Sequence, residues 1–72
     1  MHMIVPMTGD EIREIRVGLG LTQEQMARLL GYSSNQRISD IERGIRDAGP
    51  AVELLLRAYR DGHIPLDWLD RG

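Results

Sequence analysis

An all-α fold of four to five short helices, with a helix-turn-helix at its centre, is predicted by three features of this sequence. Thr8-Gly-Asp-Glu11 and Thr22-Gln-Glu-Gln25 are both capping boxes. In each, a Thr side chain accepts from the backbone three residues on, and the Glu or Gln there reaches back. After each box, apolar residues recur at helical spacing. Turn signals divide the chain into five helical segments, and only the first five residues alternate as a strand would.

Helix 1 is expected over about residues 9 to 18. Thr8 caps it, Met7 is placed to staple onto Ile12, and Ile12, Ile15 and Leu19 share a face. Gly18 and Gly20 end it. Helix 2 follows Thr22, with Leu21 placed to staple Met26, and turns Met26, Ala27 and Leu30 inward before stopping at Gly31. Helix 3 carries Ile38 and Ile41 to Gly44, and two starts are open for it. Counting back from Ile38 puts Ser34 at its start, with Asn35, Gln36 and Arg37 as the first turn. The other start has Ser33 as cap, with Gln36 completing a third capping box. Helix 4 opens at Gly49-Pro50, where a missing N–H costs nothing. Its expected buried face is Val52, Leu55, Leu56 and Tyr59, and Gly62 ends it. Residues 64 to 69 are expected to add one last short helical turn or two.

The 72 residues suit one small domain, with a limited core that partner chains often extend. The expected organisation is an N-terminal arm over 1–7, the helical domain over 8–62, and a short C-terminal helix or tail over 63–72. No Cys is present and the two His lie far apart in sequence, so neither a disulfide nor a zinc site is expected, and no cofactor. There is no apolar run long enough for a membrane and no signal peptide, so the reading is cytoplasmic. The net charge of −2 is a weak sign against nucleic acid, but its distribution matters more. From Thr22 to Arg46 there are four Arg against three acids. From Asp47 onward there are five acids against three Arg. All nine cations are Arg, which binds phosphate and base edges bidentately as Lys does not.

Ala27 is small enough for two helices to cross closely, and Gly31, four residues later, can end helix 2 sharply. With Met26, Leu30, Ile38 and Ile41 holding the pair to helices 1 and 4, this is a helix-turn-helix pattern. The runs LGLTQEQMARLLG, ISDIERG and PAVELLLRAY resemble the lambda-repressor/Cro class of Xre-like transcriptional regulators over about residues 8 to 60. The spacing from Gly31 to Ile38 is one residue longer than is usual in that class, which places the extra residue in the turn.

The resemblance implies double-stranded DNA as partner, bound by a homodimer on a two-fold symmetric operator. The start of helix 3 would enter the major groove. Asn35 and Gln36 stand where the class places its base readers, and an amide offers the donor–acceptor pair that matches adenine. Arg37 would meet guanine or a phosphate. Ser39 and Asp40 follow on the next turn, Asp40 either accepting from cytosine N4 or repelling phosphate. Thr22 and Gln23 at the start of helix 2, with Ser34, Arg43 and Arg46, are the candidate phosphate contacts. Tyr32 replaces a usual Val. Glu42 and Arg16 fall on positions that pair in the class, implying a structural ion pair between helices 3 and 1.

The leading functional reading is a DNA-binding transcriptional regulator of repressor type, without a sensor domain. A protein-binding module of the same fold, such as an antitoxin facing a toxin or a polymerase adaptor, is the alternative. An enzyme is disfavoured: Ser33 and Ser34 have no His nearby in sequence, and so small a bundle has little room for a pocket. Leu66, Trp68 and Leu69 either close the core or, with Leu54 or Tyr59, form a dimer patch. Met3-Ile4-Val5 is a tail, a core-covering arm or a strand to a second subunit.

Overall fold

The computed structural model describes residues 7–67. It contains α1 (Gly9–Gly18), α2 (Gln23–Leu30), α3 (Gln36–Glu42) and α4 (Pro50–Arg60), and no strand among the described residues. The arm residues Met3-Ile4-Val5 and the C-terminal Trp68 and Leu69 lie outside the described residues.

Both capping boxes close. The Thr8 hydroxyl accepts from the Glu11 N–H, and the Glu11 carboxylate accepts from the Thr8 N–H. Thr22 and Gln25 repeat the exchange at α2. Each box satisfies two of the backbone donors that a helix start leaves without partners.

All four helices stop in the same way. At α2 the Tyr32 N–H reaches back to the Ala27 carbonyl and the Gly31 N–H to that of Arg28. Gly31 stands at φ 80°, a conformation that costs a residue with a Cβ about 1–2 kcal/mol. The same pair of bonds recurs after α1 around Gly20, after α3 around Gly44 and after α4 around Gly62.

The core draws on every helix. Ile12 and Ile15 of α1, Met26 and Ala27 of α2, Ile38 and Ile41 of α3, and Leu56 and Tyr59 of α4 are buried. Met7, Leu21, Leu30 and Tyr32 pack around them half-buried. Full burial of a side chain such as Ile38 contributes roughly 1.5–3 kcal/mol. Burying Ile38 and Ile41 fixes which face of α3 is left to solvent.

Three expectations are corrected. First, neither Ser33 nor Ser34 caps α3. The helix begins at Gln36 behind Asn35, which already has helical dihedrals and gives no side-chain cap. The Asn35 carbonyl takes the first backbone bond, from the Ser39 N–H, and the Gln36 side chain turns forward to Asp40 rather than back to Ser33. Second, the buried face of α4 is Glu53, Leu56 and Tyr59, with Val52 half-buried and Leu55 turned outward at 36% exposure. Glu53 takes a core-facing place because its carboxylate accepts the Met7 N–H at 3.0 Å, which fastens the chain leading into α1 onto α4. Third, of residues 64–69 only 64–67 are described, and these form a bend and a turn rather than a helix. Pro65 lacks a donor and biases Ile64 towards extended backbone.

Candidate nucleic-acid interface

The two Ile residues of α3 face the core, so its other sides carry the chemistry. Ser33, Ser34, Asn35, Gln36 and Arg37 are exposed, and Ser39 and Asp40 are half-buried. Asn35 has its side chain free of any capping bond. Arg37 lies over the Tyr32 ring, its guanidinium carbon 5.3 Å from the ring centre. Such a contact contributes about 0.5–1 kcal/mol at an exposed site and steadies a long side chain. The residue pair therefore joins the elongated turn to the start of α3.

Gln36 and Asp40 lie four apart, one above the other on the helix. The Gln36 Nε2 donates to Asp40 Oδ1 at 2.9 Å, and Arg43 Nη2 donates to the same oxygen at 3.3 Å. The Gln36 amide, then the guanidinium groups of Arg43 and Arg46, hold the Asp40 carboxyl below the usual carboxylate range. Asp40 is thus ionised at neutral pH, and its charge is offset by two Arg.

Tyr32, Gln36, Arg37, Asp40 and Arg46 line one open groove together with Ser33 and Ser34. Asn35 borders a second groove against α2, where Glu24, Ala27 and Arg28 form the other wall. Neither groove includes Thr22, Gln23 or Arg43. Five of the base-facing and phosphate candidates (Ser34, Gln36, Arg37, Asp40 and Arg46) are therefore brought to one groove, and Ser39 lines neither groove.

Behind this surface Arg16 and Glu42 form a two-point ion pair. Arg16 Nε meets Glu42 Oε2 at 2.6 Å, and Nη2 meets Oε1 at 3.2 Å. The side chains are only 14% and 6% exposed. Arg16 Nη1 also donates to the Leu21 carbonyl at 2.9 Å, and Gln23 Nε2 donates to Glu42 Oε1 at 3.3 Å. One carboxylate therefore ties α1, α2 and α3 together and fixes how Gln23 sits at the head of α2. No side-chain N or O among the described residues is buried without a partner.

Sequence reading missed the Arg37–Tyr32 contact, the wall contributed by Glu24 and Arg28, and the bond between Gln36 and Asp40. Only the last left a signal, since Gln and Asp four apart on a helix are a known bonding pair. Among the described residues no helix is long and apolar enough to cross a membrane.

A family model described as "Helix-turn-helix" matches residues 12–69 of the chain. No curated protein and no solved structure matches it.

Proposed function

We propose, because this chain belongs to the Xre-like helix-turn-helix family of the lambda-repressor/Cro class and so is a DNA-binding transcription regulator, that it represses by binding a two-fold symmetric operator as a homodimer. The observation that carries this reading is the polar, exposed start of α3. It offers an uncapped Asn35, an ordered Gln36 and a stacked Arg37 on a helix anchored by two buried Ile residues. Occupancy alone keeps polymerase from an overlapping promoter, so repression needs no partner beyond a second copy of the chain.

The length of α3 supports a dimer. Its seven residues span roughly 10 Å, the reach of about three base pairs. So few pairs give too little discrimination in a genome, and two copies on half-sites roughly 34 Å apart double what is read. Exposed Leu54 on α4 is available to such an interface, whereas Tyr59 is buried and is not.

Selection of bound duplexes from a random pool tests the reading. The expected result is a palindromic site with about one helical turn between half-site centres. Affinity for random duplex should also fall about 10³-fold between roughly 50 and 200 mM salt if about six phosphates are contacted. A flat salt response at micromolar affinity would sink the reading and favour a protein-binding module, which the net charge of −2 suits better. Arg43→Ala is expected to lower the salt slope by about one, as loss of one phosphate contact does.

A further inference from the structure

We infer that Asp40 is a positioning residue that fixes which way round Gln36 presents its amide, making one base pair per half-site read as adenine in preference to guanine. The inference rests on the base-reading role proposed above and specifies its chemistry.

The bond of 2.9 Å joins a donor that only donates to a carboxylate that only accepts. Rotating the Gln36 amide by half a turn would set Oε1 against Asp40 Oδ1, two acceptors with no proton between them. The amide is therefore held with Nε2 towards Asp40 and Oε1 directed away. Nε2 keeps a second hydrogen. In the major groove adenine offers an N6 donor beside an N7 acceptor, while guanine offers two acceptors, O6 and N7. An amide whose acceptor is fixed outward suits the first and is opposed by the second. A free Gln turns over and tolerates both.

Two further observations support a fixed orientation. Arg43 Nη2 also donates to the same Oδ1 at 3.3 Å, a second bond on that oxygen. The Asp40 side chain is 19% exposed, so most of its surface lies against the protein. Asp40 also carries negative charge on the face that meets phosphates, at a cost to affinity for any duplex. A residue that lowers general affinity while sharpening one contact raises the ratio of specific to non-specific binding.

The test compares the full chain with Asp40→Asn, Asp40→Glu and Gln36→Ala, each by selection from a random duplex pool and by affinity for random duplex. Wild type is expected to enrich adenine at one position per half-site, by about five- to hundredfold over guanine. Gln36→Ala is expected to lose that preference. Asp40→Asn keeps the shape but can accept or donate, so it satisfies either amide orientation. It is expected to admit guanine at that position while binding random duplex more tightly. Asp40→Glu keeps the charge and is expected to keep the preference. An unchanged preference in Asp40→Asn would overturn the inference, and so would its loss in both Asp40 variants, which marks a merely structural role. If Gln36→Ala selects the same sites as wild type, base reading by Gln36 itself has failed, and the inference falls with it by a different pattern.

Discussion

Replacing Glu42 with Ala is expected to lower the melting temperature of the domain by at least about 12 °C. Removing one partner of a buried ion pair costs ~3–5 kcal/mol, because the remaining charge stays buried. Arg16, at 14% exposure, would be that charge, left with only the Leu21 carbonyl. Each kcal/mol shifts the midpoint of so small a domain by roughly 4–8 °C. Total stability is of the order of 4–11 kcal/mol at this length, so the loss takes a large share of it. Thermal unfolding followed by circular dichroism checks the value. Replacing both partners with apolar residues, Arg16→Met together with Glu42→Leu, is expected to cost less than Glu42→Ala alone, since no charge is stranded. An unchanged midpoint in Glu42→Ala would show that water reaches the pair.

Gly9→Ala is expected to destabilise by roughly 1–3 kcal/mol or more, against the usual sign. Inside a helix Ala is ordinarily better than Gly by roughly 0.5–1 kcal/mol. Here a Cβ on Gly9 would lie 2.8 Å from the Ile41 carbonyl oxygen and closer still to that of Glu42. Both are backbone atoms at the end of α3, so neither can rotate aside as a side chain would. The start of α1 would have to lift off α3, straining the nearby Arg16–Glu42 pair. Chemical denaturation gives the cost directly. A more stable Gly9→Ala protein would mean that the start of α1 and the end of α3 leave room for a Cβ between them.

Much of the fold was legible because its signals are local. Thr8 with Glu11 and Thr22 with Gln25 mark two helix starts, and Gly31, Gly44 and Gly62 mark three ends, each decided within a few residues. The start of α3 was not legible, because nothing local sets it. Asn35 gives no capping bond, and burial of Ile38 and Ile41 places the helix instead. The face of α4 was misread for a related reason. Val52, Leu54, Leu55 and Leu56 supply apolar residues all round, so periodicity could not choose among registers. The residue that decides, Glu53, is a charged one whose partner is a backbone N–H 46 positions away. At the candidate interface, the residue types around α3 were legible, but the Tyr32–Arg37 contact depends on the path of an irregular turn, which no repeat in the sequence encodes.

The hydrogen-bonded stop at Gly31 has a consequence for how such a protein can diverge. Because α2 is sealed by its own backbone, the length of the segment that follows does not reach back into the helix. Lengthening a flexible loop from four residues to five costs only about 0.2 kcal/mol in closure entropy. The joint is therefore a place where insertions are nearly free for the scaffold yet change which side chains stand at the head of α3. If the head of α3 reads bases as proposed, natural variation there would retune the preferred sequence without disturbing the bundle that holds the helix.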